Sequence, residues 1–286
     1  MDPIEETTGS GGLPLVKIET PWSSAEVYLN GAHITSFQKR GEAPLLFLSA
    51  KSFFKAGESI RGGVPICFPW FGPREGDVAH GFVRTAQWEL SKSAVADDGA
   101  VTLHFRLPEA SSRTAWKNLR TEFIVTVAES LTMELIAANE SDGPLEIENC
   151  LHTYFHVGDI SQVSLDGLQG VPFLDFASGA TGERKAENDP VLRISKETNR
   201  VYPESAGTVE ITDRQLKRTI RVEKFHSQST VVWNPWTTQK LPNDFEPAEH
   251  CQMVCVESGN VKQNKISLAA GESTALKVVL TSAPIR

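Results

Sequence analysis

The sequence predicts an all-β protein, one large domain of antiparallel strands. Three observations carry that reading. Apolar and polar residues alternate with period two over residues 101–107, 123–127 and 131–137, the pattern of strands with one buried face. Turn-forming clusters interrupt the chain every 10 to 20 residues from Leu15 onward, among them Asp97-Asp98-Gly99, Ser141-Asp142-Gly143-Pro144, Gly158-Asp159 and Ala206-Gly207. No stretch of 15 residues shows a capped 3.6-residue period, so helices are expected to be short, one of them around residues 52–56. Many short strands between regular turns make a sandwich or barrel, and such a domain runs to about 250 residues as one unit.

Taken in order, residues 1–12 are acidic and rich in Gly and Ser, without the basic and apolar regions of a signal peptide. They are expected to form a flexible tail. Residues 13–286 show no Pro- or Ser-rich linker and no internal repeat, and are expected to form the single domain. The polar, Gly-containing stretch 177–190 reads as a surface loop within it.

The 286 residues are 40% hydrophobic, enough for a large core. Lys and Arg number 28 against 36 Asp and Glu, a net charge of −8. Nucleic-acid binders concentrate basic residues, so neither nucleic acid nor an anionic membrane is expected as a partner. The longest apolar run, residues 64–71, is far short of the roughly 20 residues that span a bilayer. Cys67, Cys150, Cys251 and Cys255 form no CxxC pair, which fits a reduced cytoplasmic protein rather than a disulfide framework.

Four segments break the strand pattern. Residues 59–72 pack Arg61, Gly62-Gly63, two prolines and three aromatics into an irregular stretch. The glycines would let backbone pass close to a ligand, and the same residues also suit a buried loop with a surface arginine. In Ala79-His80-Gly81-Phe82-Val83-Arg84, an extended chain would point His80 and Arg84 the same way. Histidine moves protons near neutral pH and arginine clamps phosphate or carboxylate; a turn with surface charges is the plain alternative. Alternation over residues 148–154 places Glu148, Cys150, His152 and Tyr154 on one face, a set that suits a pocket lining. Zinc is a rival reading for His152 and Cys150, but the paired ligand spacings of structural zinc sites are absent, so no metal is expected. Finally, Cys251-Gln252-Met253-Val254-Cys255-Val256-Glu257 runs an apolar strand into a carboxylate, whose partial burial would make it a better base. Upstream, Val232-Trp233-Asn234-Pro235-Trp236 is rich in tryptophan, which stacks on sugar rings or fills cores. Arginines, aromatics and a His/Glu set together suit a phosphorylated sugar. GxGxxG, P-loop, GxSxG and HExxH patterns are all missing.

These segments resemble the hexose-6-phosphate mutarotases (glucose-6-phosphate 1-epimerases) of the aldose 1-epimerase, galactose-mutarotase-like family. The resemblance rests on Asn30-Gly31-Ala32-His33, Arg61-Gly-Gly-Val-Pro-Ile-Cys-Phe-Pro69, His80-Gly-Phe-Val-Arg84, Leu151-His152-Thr-Tyr154-Phe155, Val232–Trp236 and Cys255-Val-Glu257-Ser-Gly-Asn260, in family order over residues 30–262. It implies a β-supersandwich of twisted antiparallel sheets and interconversion of the α and β anomers of aldohexose 6-phosphates. By the same resemblance His152 is the general acid, Glu257 the general base, Arg61 and Arg84 the phosphate ligands and His80 a pocket histidine near the ring; Trp233 is expected to bind the substrate as well. Arg74 is a possible third positive charge without a motif. An acidic residue that contacts the sugar in the family is matched here by Asn199, within Glu197-Thr198-Asn199-Arg200-Val201-Tyr202; Asp175 is a nearby acid that could substitute. The chemistry fits: a base takes the C1 hydroxyl proton, an acid protonates the ring oxygen, and closure reverses the roles. No cofactor and no metal is expected, and the chain is expected to act as a monomer on a small-molecule substrate. A non-catalytic sugar-phosphate sensor would keep the arginines and tryptophans and dispense with the acid–base pair. A glycoside hydrolase would need two flanking carboxylates, for which Glu148 and Glu257 are the candidates.

Overall fold

The period-two segments form strands. In the computed structural model, which describes residues 2–237, 241 and 243–285, they become Val101–Arg106, Leu119–Val127 and Leu131–Asn139. Val101, Leu103, Phe105, Phe123, Val125, Val127, Leu131, Met133, Leu135 and Ala137 are 1% exposed or less, and Phe105 faces Phe123, which faces Leu135. Cross-strand aromatic and aliphatic rows of this kind hold a sheet together, and truncating one such phenylalanine to alanine costs about 3–5 kcal/mol.

Two eight-stranded sheets dominate. One runs Val163–Asp166, Val209–Asp213, Arg218–Phe225, Ser273–Pro284, Leu131–Asn139, Leu119–Val127, Val101–Arg106 and Glu89–Val95. The other, which carries the site, runs Glu183–Ala186, Pro172–Asp175, Thr198–Tyr202, Ser229–Asn234, Met253–Asn260, Asn149–Leu151 and Ile66–Cys67, with Tyr154–His156 also paired on Met253–Asn260. All named strand pairs are antiparallel, as alternation predicts. One core cluster draws side chains from both sheets and from a smaller four-stranded one, with Trp88 fully buried and its indole nitrogen donating to Val83 O at 2.9 Å.

Three local expectations meet a different structure. Residues 4–8, expected in the tail, form the edge strand Ile4–Thr8 on Pro14–Glu19, with Ile4 opposite Ile18 and packed against the core. Its polar composition hides it, because an edge strand needs few apolar residues. Residues 52–56 are turn and irregular backbone rather than helix; among the described residues the helical pieces are 3-10 turns of three to six residues. Within 177–190, Glu183–Ala186 is a strand paired to Pro172–Asp175, exposed throughout.

Candidate active site

Glu257 and His152 meet because strand registers agree. Met253–Asn260 pairs with Asn149–Leu151 and with Tyr154–His156 in one continuous register, Leu151 opposite Ser258 and Tyr154 opposite Cys255. His152, in the break between those strands, therefore falls opposite Glu257, and its Nε2 lies 3.3 Å from Glu257 Oε1. On the other flank Glu257 faces Val231 and Val231 faces Val201, while Cys255 faces Trp233 and Trp233 faces Asn199. Two side-chain rows thus cross four strands. One holds Val201, Val231, Glu257 and His152; the other holds Asn199, Trp233, Cys255 and Tyr154. Alternation turns Val254 and Val256 to the main core. All residues of the two rows except the buried Cys255 floor a cavity of about 440 Å³. Glu257 was expected at the end of its strand; it lies inside it, 1% exposed.

The aromatic rings fix the imidazole. His152 stacks on Tyr154 with centroids 4.7 Å apart, and Trp233 meets both rings edge-on at 6.2 and 5.9 Å.

Residues 61–72 build one wall. Gly62 and Gly63 have φ of 114° and 60°. A Cβ on Gly62 would stand 2.5 Å from Phe47 O, and one on Gly63 would stand 2.1 Å from Ile34 O. The close approach these glycines permit is to protein backbone, not to a ligand. His33 locks the turn by donating from Nε2 to Gly62 O at 2.8 Å. Arg61 then projects into the cavity. Its Nη1 donates to the Tyr154 hydroxyl at 3.2 Å, and its Nε lies 3.3 Å from both Asp244 carboxylate oxygens. Asp244 is held in turn: Ser49 Oγ donates to its carbonyl at 2.9 Å and to Glu249 Oε2 at 2.7 Å.

His80 and Arg84 do not share a strand face. His80 (φ 64°) and Gly81 (φ 76°) turn the chain, and Val83–Thr85 is a 3-10 turn. A Cβ on Gly81 would come 1.8 Å from Phe68 O, so only glycine fits that turn. His80 lines the cavity 5.8 Å from the His152 ring and accepts at Nδ1 from Gly72 N at 3.3 Å, which places its ring proton on Nε2. Arg84 stands outside the lining, with Nη2 donating to Ala79 O at 2.8 Å. The second cation on the wall is Lys262, which the sequence reading passed over. Its φ is 59°, and its backbone N–H donates to Glu148 Oε1 at 2.6 Å. The other Glu148 oxygen accepts from Phe71 N at 3.0 Å. Glu148 therefore braces the wall from behind; of the four residues expected on one face, His152 and Tyr154 line the cavity, while Cys150 is buried behind it. Arg74 lies 4.6 Å over the Trp70 ring and lines a separate cavity, and Asp175 is tied to Lys185 Nζ at 2.6 Å. Neither reaches the floor. Asn199 and Trp233 do.

Residues 14–281 match the family profile described as aldose 1-epimerase. The chain belongs to the aldose 1-epimerase family. A relative from Cenchrus ciliaris is 34% identical over 273 residues, covering 91% of this chain and 82% of its own. One from Escherichia coli K12 is 35% identical over 260 residues, covering 88% and 85%. Both carry the provisional name glucose-6-phosphate 1-epimerase. A crystal structure from Salmonella typhimurium, provisionally called a mutarotase, shares the fold with a TM-score of 0.84 at 29% identity, covering 98% of this chain and 97% of that one. A galactose mutarotase-like protein from Clostridium acetobutylicum has the same fold at 15% identity, with a TM-score of 0.73, covering 99% and 98%.

The electrostatics of this epimerase follow from burial. Burial pushes the Glu257 carboxyl well above the usual range, and a Cys150 Sγ–H donor 3.6 Å from Oε2 offsets this only in part. Burial, then His80, Arg84 and Arg61, push His152 well below 6.5. His80 is driven down to about 3 by burial and by Arg84, Arg61 and Lys262. Charge on either member of the His152–Glu257 couple is costly unless the other compensates, so the couple holds one proton between its members over a broad range of pH. Such a couple can take a proton from one substrate oxygen and give one to another.

Proposed function

We propose that this epimerase interconverts the α and β anomers of D-hexose 6-phosphates, glucose 6-phosphate first among them. The carrying observation is the buried imidazole–carboxylate pair flooring a cavity whose walls hold two cations, Arg61 and Lys262. In this reading Glu257 takes the C1 hydroxyl proton while protonated His152 gives its proton to the ring oxygen. The hemiacetal opens, the C1–C2 bond rotates, and closure returns both protons. The couple ends as it began, which is what a reversible isomerisation needs. Trp233 offers an apolar surface to the ring and Asn199 a neutral hydrogen-bonding group.

The phosphate has a second effect. Arg61 and Arg84 act against the protonated form of His152. A bound dianion offsets their field and favours imidazolium, so the phosphorylated substrate helps to arm its own acid. Arg84 acts here by charge from behind the wall, while Arg61 and Lys262 make contact. The residues invoked belong to one chain and the step needs no cofactor, consistent with a monomer. The described cysteines are free, as in a reducing cytoplasm. A glycosidase needs a second carboxylate across the bond; among the described residues that line the cavity, Glu257 is the only acid.

The test is magnetisation exchange by NMR between the anomers of glucose 6-phosphate at equilibrium, with glucose and galactose as controls. Acceleration of the phosphorylated sugar alone is expected. Acceleration of a free hexose alone would keep the acid–base pair and remove the phosphate contacts. No acceleration, with ligand-induced shifts, would leave a sensor.

A further inference from the structure

Buried beneath the cavity floor, beside the acid–base pair, is a third donor that ring opening does not use. His152, Cys255 and Glu257 each offer one ligand atom, and these atoms all lie within 4.8 Å of one another. Cys255 precedes Glu257 by two on the same strand, so both face the same way, and it lies between Trp233 and Tyr154 in its row. A thiolate, an imidazole and a carboxylate are the donors that hold zinc and its softer relatives. Tetrahedral bonds of about 2.0–2.3 Å set donor atoms roughly 3.5 Å apart, so the trio needs to close by little more than an ångström. His152 Nδ1 is buried and makes no hydrogen bond, so no neighbour ties that nitrogen to one tautomer. A second thiol, Cys150, lies 3.6 Å from the far oxygen of Glu257, and the open cavity supplies a further position to water or a sugar hydroxyl. Local spacing hides the set, because its members come from two strands brought into register.

We infer that the cavity floor is a binding site for a soft divalent cation of the Zn²⁺ and Cd²⁺ class, and that such an ion inhibits the epimerase by capturing its acid–base pair. Binding displaces two protons to solvent, that of the Cys255 thiol and the one the His152–Glu257 couple shares. Hard cations such as Mg²⁺, which demand oxygen ligands, leave the site alone. The inhibitory half rests on the function proposed above; the binding half does not.

Cys251 is exposed with its Sγ 3.4 Å from His250 Nε2, a second thiol–imidazole pair, so the measurements use a Cys251→Ser background. Titration with CdCl₂ is followed by the ultraviolet thiolate-to-cadmium charge-transfer band, and mutarotation is assayed in parallel. One equivalent of band is expected, reversed by Zn²⁺ and untouched by Mg²⁺. Cys255→Ser should weaken Cd²⁺ binding about a hundredfold, at least what loss of an outer supporting group costs a metal site, with inhibition judged against the variant's own metal-free rate. Cys255→Ala serves if serine unfolds the chain. Absence of the band, or its persistence in both Cys255 variants, overturns the site. A normal band with unimpaired mutarotation overturns the inhibitory half. Cd²⁺ bound through Cys255 in a protein that turns over no hexose keeps the site and removes the proposed reaction instead.

Discussion

His152 Nε2 stands 3.3 Å from Glu257 Oε1 across a shared strand register, with the carboxyl sealed from solvent. Acid and base are therefore one titrating unit. Its useful state holds one proton, and each half-reaction moves that proton from one member to the other by way of the substrate.

Removing either member should remove the unit. His152→Ala or Glu257→Gln is expected to lower kcat by about 10²–10⁴-fold, with far-ultraviolet circular dichroism unchanged. The double variant should be little slower than the worse single one, because groups that act together are not additive. Near-normal turnover in a folded single variant would strip that residue of its role.

The pH profile carries a sign. A doubly protonated pair lacks the base, and it forms only once pH falls through the lowered value of His152. A fully deprotonated pair lacks the acid, and it forms only once pH rises through the raised value of Glu257. Enzymatic kcat/KM, corrected for spontaneous mutarotation, should show a plateau through neutrality with its acid limb below 6.5. An acid limb at or above that value would contradict the assignment.

The same burial should cost stability. Glu257 has a folded value above its unfolded 4.5, so the native state binds more protons and stability falls as pH rises through that window. Glu257→Gln removes the penalty. At mildly alkaline pH the variant should be more stable than the parent, and the gain should vanish below pH 4.5. Thermal melts across pH would show a difference independent of pH if this account is wrong.

Phosphate contact should separate Lys262 from Arg84. Lys262→Ala is expected to raise KM for glucose 6-phosphate by about 10–100-fold, the worth of one charge-assisted hydrogen bond, and to leave any free-hexose KM alone. Arg84→Ala should act mainly on the pH profile, by relieving His152 of a positive neighbour. A larger KM effect at Arg84 than at Lys262 would restore the sequence-based assignment.

Gly63→Ala places a Cβ 2.1 Å from Ile34 O at a left-handed φ. About 1–3 kcal/mol of strain follows, read as a drop in melting temperature. An unchanged melt would mean that the Arg61 turn relaxes more freely than its contacts suggest.

Strands were legible where one face is buried: Phe105, Phe123 and Leu135 alternate with polar neighbours because water lies on the other side. Ile4–Thr8 was not, since an edge strand survives on hydrogen bonds and one isoleucine. The extended reading of residues 80–84 failed because His80 and Gly81 both take left-handed backbone, which periodicity does not encode. At the site, motif order pointed to His152, Glu257, Arg61, His80, Asn199 and Trp233, and the fold gathers all six around one cavity. Lys262, Asp244 and the metal-ligand character of Cys255 stayed hidden. Each acquires its meaning from register or loop packing between distant segments, and no local pattern records that.

The strand Ser273–Pro284 lies between Arg218–Phe225 and Leu131–Asn139, and it follows in sequence everything it joins. Until it emerges from the ribosome, the large sheet that does not carry the site exists as two separate halves, each with an open hydrogen-bonding edge. From the completion of Arg218–Phe225 until Ser273–Pro284 follows, the nascent chain thus carries two adhesive margins at once. Damage to this stretch, though far from the sugar, is expected to appear first as aggregation during expression.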